Sequence, residues 1–160
     1  MKVRAIVIKS LDGVIAVNDL LPWKYKEDMD RFRALTRGAA VLMGRKTWDG
    51  LYIQPLPNRY NIVVSRYMLS TVDVKVVRTL QSGLNAAVQQ NKASLWVIGG
   101  AEIYNAFAYR IDEWYVTEVE EIIGQGLKLP PLDKAIWECT SRVQAETFNG
   151  VFKTYKKLRR

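Results

Sequence analysis

The chain has 160 residues, 49% hydrophobic and 25% charged, and 24 Lys and Arg outweigh 16 Asp and Glu for a net charge of +8. That length matches about one domain and buries a core without covalent staples. A single cysteine, Cys139, excludes an internal disulfide, and the absence of histidine excludes the common zinc sites and every histidine-dependent triad, so no metal is expected.

An excess of positive charge suits a polyanionic partner: nucleic acid, an anionic membrane or a phosphate-rich cofactor. It equally describes a solvated basic surface ending in the tail KTYKKLRR. The N-terminal stretch MKVRAIVIKSLDG has too short an apolar run for a signal peptide. No segment approaches the roughly 18 apolar residues of a membrane span. These features lead us to expect a cytoplasmic protein that does not enter a membrane. With no repeat, low-complexity tract or linker, one domain over residues 1–160 is expected.

In chain order, Val3 to Ile8 is β-branched and apolar and reads as a buried strand, and Asp12-Gly13 turns the chain. Val14 to Leu21 reads as an irregular apolar loop or short strand ending at Pro22. Glu27 to Thr36 reads as a helix with acids in its first turn, Arg31, Arg33 and Arg37 towards its end, and a stop at Gly38. Ala39 to Met43 is a short strand running into Gly44-Arg45-Lys46-Thr47-Trp48, a glycine before a short helix. Further strands are expected at Tyr60 to Ser65, Val74 to Val77, Ser94 to Ile98 and Glu113 to Val119. Thr79 caps a helix from Leu80 to about Gln90, and Ala101 to Tyr109 reads as another. Two last strands, about Trp137 to Ala145 and Val151 to Leu158, flank Asn149-Gly150, the strongest hairpin signal in the chain. Strands alternating with helices imply a mainly parallel sheet with helices on both faces and a C-terminal antiparallel hairpin. Ligands in this architecture gather beyond the carboxyl ends of the strands.

Two strand-to-helix junctions carry glycine, at Gly44-Arg45-Lys46-Thr47 and at Ile98-Gly99-Gly100-Ala101. Free backbone N–H groups at such junctions suit phosphate, and glycine lets a ligand approach closely. Two of them make a dinucleotide plausible, although neither is a G-x-G-x-x-G fingerprint. Asp28 and Phe32 are four apart and share a helix face. On spacing alone Asp28 is either a first-turn acid that stabilises its helix or a ligand anchor, and Arg59 and Arg66 read equally as solvated charges.

The order GVIAVNDLLPW, EDMDRFRALT, VLMGRKTW, PLPNRYNIVVS, VIGGAEIY and DEWYVTEVE resembles the dihydrofolate reductase family, in its bacterial or phage form. The resemblance covers nearly the whole chain. It implies one α/β domain with an eight-stranded, mostly parallel sheet, NADPH as hydride donor, and reduction of 7,8-dihydrofolate to tetrahydrofolate. It implies that Asp28 binds the 2-amino group and ring nitrogen of the pterin, with Thr117 bonded to that acid. Phe32, Leu51 and Ile8 would line the substrate wall, and Arg59 would pair with the glutamate α-carboxylate. Val7, Ala16, Leu20 and Ile98 would adjoin the nicotinamide, with Leu20, Leu21, Pro22 and Trp23 as a closing loop. Arg45 and Arg66, beside Ser65, would take up the 2′-phosphate. Gly44, Lys46, Thr47, Gly99, Gly100, Ala101, Glu102, Ile103 and Tyr104 would complete the cofactor side, with a cis peptide between the two glycines. Antifolates would act as inhibitors, and a monomer is expected.

Three departures from the family pattern stand out. Gly124-Gln125-Gly126-Leu127 occupies a loop that often reads Gly-Asp-Thr, where the Asp steadies the closed active-site loop in some members. Glu102 stands where many members carry an arginine towards the 2′-phosphate. Tyr52-Ile53-Gln54 replaces a shorter Gly-Arg link before Pro-Leu-Pro. A pyrimidine reductase of the riboflavin pathway shares the sheet and the Gly-Gly junction, but is not expected to combine Asp28, Phe32 and Arg59. A basic nucleic-acid-binding module has the charge and the tail in its favour. It lacks a basic stripe with interleaved aromatics, so no nucleic acid is expected.

Overall fold

The computed structural model describes residues 1–158; Arg159 and Arg160, the end of the basic tail, lie outside the described residues. Ten strands and four helices follow the order β1 (Lys2–Ser10), β2 (Val14–Ala16), α1 (Lys26–Thr36), β3 (Ala40–Gly44), α2 (Arg45–Asp49), β4 (Tyr60–Val64), β5 (Lys75–Val77), α3 (Leu80–Gln89), β6 (Ser94–Val97), α4 (Ala101–Phe107), β7 (Glu113–Val119), β8 (Leu127–Lys128), β9 (Trp137–Gln144) and β10 (Gly150–Lys157). Eight of these strands form one sheet in the order β5-β4-β3-β6-β1-β7-β10-β9. All pairings from β5 to β7 are parallel, and β10 adds to β7 and β9 antiparallel.

The parallel strands read as continuous apolar runs because both of their faces are covered. On one face Val3, Ala5, Leu42, Ile62 and Val97 pack with Leu80, Leu84 and Ala87 of α3 and Tyr104 of α4. On the other, Val41, Met43, Val63 and Trp96 pack with Trp48 of α2 and Leu35 of α1. Gly83 lets α3 come close to the sheet, since a Cβ there would sit 2.6 Å from the Leu42 side chain. The N-terminus of α3 is closed as expected, with Thr79 Oγ1 accepting from the Ser82 N–H at 3.1 Å.

Three local features differ from the sequence reading. Leu127–Lys128, within a Gly/Pro-rich segment, forms β8 and pairs antiparallel with β2. The helix expected to reach Tyr109 ends at Phe107 and tightens into a 3-10 turn over Ala108–Arg110. The hairpin between β9 and β10 does not turn on Asn149-Gly150: Gly150 is already in β10, and the loop spans 145–149. Tertiary bonding wins over the turn signal there. The Glu27 carboxylate accepts from the Glu146 and Thr147 N–H groups and from Thr147 Oγ1, and Phe148 stacks on Tyr25 with ring centres 4.2 Å apart.

Candidate active site

The strand register fixes the floor of the site. Ile8 of β1, Thr117 of β7 and Phe152 of β10 stand side by side in one row, with Ile6, Tyr115 and Thr154 in the next row of the same face. Alternation along each strand brings both rows to the face that α1 covers. Thr117 is buried and donates its hydroxyl to Asp28 Oδ1 at 2.5 Å. Burial pushes the Asp28 carboxyl above the usual aspartate range, while the Thr117 bond and the nearby Arg31 charge oppose that rise. The acid is therefore a tethered group inside the fold, not a solvated helix-start charge. Leu51, Leu35, Leu56 and Ile98 pack into the apolar cluster beside this floor.

At the far end of α1, Arg59 is held on three sides. Its Nε donates to Thr36 Oγ1 at 2.7 Å, Nη1 to the Pro57 carbonyl at 2.5 Å and Nη2 to the Arg33 carbonyl at 2.9 Å, and its guanidinium lies 5.8 Å from the Phe32 ring centre. A guanidinium has five N–H donors, so one remains on each Nη: the paired arrangement that meets a carboxylate.

The two glycine junctions come together. The Gly44 N–H donates to the Gly99 carbonyl at 2.9 Å, and the Ile98 N–H to the Leu42 carbonyl at 2.9 Å. The Gly99-Gly100 peptide is cis. Thr47 Oγ1 lies 3.6 Å and 3.7 Å from where a Cβ would stand on Gly99 and Gly100, and Gly44 is packed against Ile103. Among the described residues no side chain caps the N-terminus of α2 or of α4, so their first-turn N–H groups stay available. Arg45 and Lys46 are exposed on α2, 3.6 Å from Asp49 and 3.9 Å from Asp19 respectively. Arg66 and Glu102 are exposed too. Ser65 is a turn anchor: its Oγ accepts from the Met68 N–H, and its carbonyl accepts from Arg78 Nη1.

Val7 points to the opposite face, into the core that also holds Tyr104, whose hydroxyl donates to the Ile6 carbonyl at 2.5 Å. Both are braces of the sheet. Trp23 is buried against Ile8 and Val119, and its Nε1 donates to Glu121 Oε2 at 3.1 Å. Leu20 and Leu21 are 69% and 52% exposed, because Val17 and Leu20 bond to each other around a tight turn with positive φ at Asn18 and Asp19. The Ala16 end of β2 is fixed by β8. A groove of about 570 Å³ between Met68, Arg78 and α3 does not include Asp28, so the site is defined here by its polar groups.

Three participants were not singled out in the sequence. Arg31 turns its guanidinium onto Phe152 and Tyr115 rather than out at the helix end. Its spacing of three from Asp28 was the available signal. Tyr115 shares its face with Thr117, as any residue two away on a strand does. Asp12 does more than turn the chain: it accepts from Ser10 Oγ and from the Ile123 and Gly124 N–H groups, fastening the segment that carries β8. No local pattern announces that last contact, which spans more than a hundred residues.

The family model for dihydrofolate reductase matches residues 2–160. The chain is 30% identical over 145 residues to a dihydrofolate reductase of Neisseria meningitidis, covering 90% of this chain and 88% of that one. It is 31% identical over 133 residues to a dihydrofolate reductase of Haemophilus influenzae, covering 83% and 81%. It is also 38% identical over 99 residues to a bifunctional dihydrofolate reductase-thymidylate synthase of Paramecium tetraurelia, covering 62% of this chain and only 21% of that longer protein. With the sheet order, the joined glycine junctions and the tethered Asp28 already in place, these matches mean that the chain belongs to the dihydrofolate reductase family and is an enzyme that reduces dihydrofolate.

Proposed function

We propose that residues 1–160 form one NADPH-dependent dihydrofolate reductase domain in which Asp28 anchors the pterin of 7,8-dihydrofolate. The observation that carries this reading is the bond from the buried Thr117 to the half-buried Asp28 on the face of the sheet that α1 covers. A carboxylate held there offers its acceptors to an amino group and a ring N–H side by side. It also favours a protonated imine in the bound pterin electrostatically, which makes the carbon that receives hydride more electrophilic. Ile8, Phe32 and Leu51 line the pterin and aminobenzoyl group, and the two free N–H groups of Arg59 take the glutamate α-carboxylate.

The residues on the cofactor side fit a dinucleotide phosphate. Gly99 and Gly100 leave open the space that Thr47 Oγ1 faces, and the first-turn N–H groups nearby are uncapped. Gly44, Lys46, Thr47, Gly99, Gly100, Ala101 and Ile103 hold the pyrophosphate, with Tyr104 bracing Gly99 from behind. Arg45 and Arg66 take the 2′-phosphate, and Glu102 adds no cation. NADPH, when bound, supplies the hydride. Ala16 and Ile98 flank the nicotinamide, and the exposed Leu20, Leu21 and Pro22 close inward to exclude water while the buried Trp23 anchors the end of their loop. The work of the chain is mainly to hold two rings face to face.

The same reading makes the protein a cytoplasmic monomer that antifolates inhibit. It is tested by following NADPH and NADH oxidation with dihydrofolate in wild type and Arg45→Ala. Loss of NADPH affinity by at least tenfold, with NADH little changed, is expected. Equal losses for the two cofactors contradict the 2′-phosphate assignment.

A further inference from the structure

The substrate floor holds a second charge besides Asp28. Arg31 lies one turn further along α1, where i and i+3 side chains are neighbours. Its guanidinium carbon is 4.6 Å from the centre of the Phe152 ring and 5.8 Å from that of Tyr115. Arg31 Nη1 is buried with no hydrogen-bond partner among the described residues, and the side chain joins no ion pair among them. A guanidinium in such a place stays charged, is attracted to the ring faces, and costs free energy by its desolvation. The neighbouring arginine Arg33 shows the ordinary alternative: it is exposed and bonded to Asp30 at 3.0 Å. Nothing in helix stability requires Arg31 to turn inward.

The charged and titratable groups facing Asp28 come from two elements. Glu27 and Arg31 belong to α1 and Thr117 belongs to β7, while the Tyr115 ring of β7 and the Phe152 ring of β10 face the Arg31 guanidinium. Glu27 raises the Asp28 carboxyl and is itself drawn away to the 146–147 backbone. Arg31 is the one cation in the set.

We propose that Arg31 is a positioning residue of the substrate site: a fixed cation, clamped on Phe152 and Tyr115, that acts through Asp28 to keep its carboxylate ionised. This rests on the reading of Asp28 as the pterin anchor. The charge offsets the burial that drives Asp28 towards its neutral form, so the enzyme keeps two acceptors for the pterin as the pH falls. The stacked guanidinium cannot deprotonate, so its effect is constant across the working pH range. Tyr115 and Phe152 thereby acquire a role that no contact with substrate would reveal: they hold the cation at its distance from the carboxylate.

The test is a direct titration of the Asp28 carboxyl by ¹³C NMR, assigned with Asp28→Asn, in wild type, Arg31→Met, Arg31→Gln, Arg31→Lys and Arg33→Met. The pH dependence of kcat/KM for dihydrofolate is recorded beside it. In either neutral Arg31 variant the carboxyl is expected to titrate about one pH unit higher. The acid limb of kcat/KM should move with it, and KM near pH 6 should rise more than kcat falls. Arg31→Lys should restore most of both, and Arg33→Met should match wild type. An unchanged titration in a folded neutral variant, or a Lys variant as shifted as the Met variant, overturns the proposal. Absence of dihydrofolate turnover by wild type would instead refute the pterin-anchor reading, and the titration would still decide whether Arg31 governs Asp28.

Discussion

Thr117 and Asp28, 89 residues apart in sequence, meet at 2.5 Å between Oγ1 and Oδ1. The hydroxyl donates, so it favours the ionised acid and fixes the orientation of the carboxylate, whose oxygens keep further lone pairs for a ligand. Replacing Thr117 by valine keeps the shape and removes the donor. We expect Thr117→Val to lower kcat/KM for dihydrofolate about tenfold, the effect of about 1.4 kcal/mol for one hydrogen bond to a charged group. The loss should grow as the pH falls, because the acid then protonates more easily. Steady-state kinetics recorded from acidic to slightly alkaline pH checks this.

Arg59 is preorganised by three protein acceptors, leaving one N–H on each Nη. A lysine has no fork and cannot satisfy those acceptors while pairing with a carboxylate. Arg59→Lys is expected to raise KM for dihydrofolate by about ten- to a hundredfold, with kcat within a few-fold, as removal of uniform binding does. A pterin substrate lacking the glutamate should show no such penalty. Comparing the two substrates on one preparation separates a lost contact from a damaged fold.

Gly126 joins the departure from the Gly-Asp-Thr pattern to the active-site loop. Its φ is +127°, and a Cβ there would overlap the Ala16 carbonyl oxygen and lie 2.9 Å from the Val14 side chain. Gly126→Ala is therefore expected to destabilise the protein by about 2 kcal/mol or more. It should also push β2 from β8 and raise KM for NADPH, because Ala16 moves with the strand. Urea unfolding and cofactor titration measure the two effects independently.

Asp12 holds the same segment electrostatically. Its bonds to Ser10, Gly124 and Ile123 bring its carboxyl down to about 2. A depressed folded-state value means that the stabilisation is complete above the unfolded value of about 3.9 and lost as the pH falls towards 2. The stability difference between wild type and Asp12→Asn is expected to be constant at neutral pH and to shrink between those two values. Chemical denaturation at a series of acidic pH values shows it, and a difference independent of pH would contradict the assignment.

Periodicity and strand–helix alternation made most of the sheet legible, because β1, β3, β4 and β6 are apolar runs between clear turns, and such runs have one stable use in a covered parallel sheet. The hairpin loop was not legible: the Asn149-Gly150 signal is local, whereas Glu27 and Tyr25 capture the preceding residues from α1. β8 was hidden for the same reason, since two residues after a glycine carry no period. Within the site, Asp28, Thr117 and Arg59 were reached through the register of the family motifs; spacing alone left Asp28 and Arg59 ambiguous and did not single out Thr117. Arg31 looked like a helix-end charge because its sequence position fits one. Only the packing of α1 on β7 and β10 turns it inward.

We propose Asp28 as the ionisable group on which dihydrofolate reduction depends. Its direct test is the single-turnover rate of NADPH oxidation with saturating dihydrofolate in wild type and Asp28→Asn at neutral pH. Asparagine keeps an acceptor for Thr117, so the fold should be intact, and removing a half-buried ionised acid should leave it as stable or more so. A fall of about a hundredfold or more is expected for the variant, with most of the pH dependence below neutral abolished. Undiminished turnover by Asp28→Asn, or a pH profile identical to wild type, would contradict it.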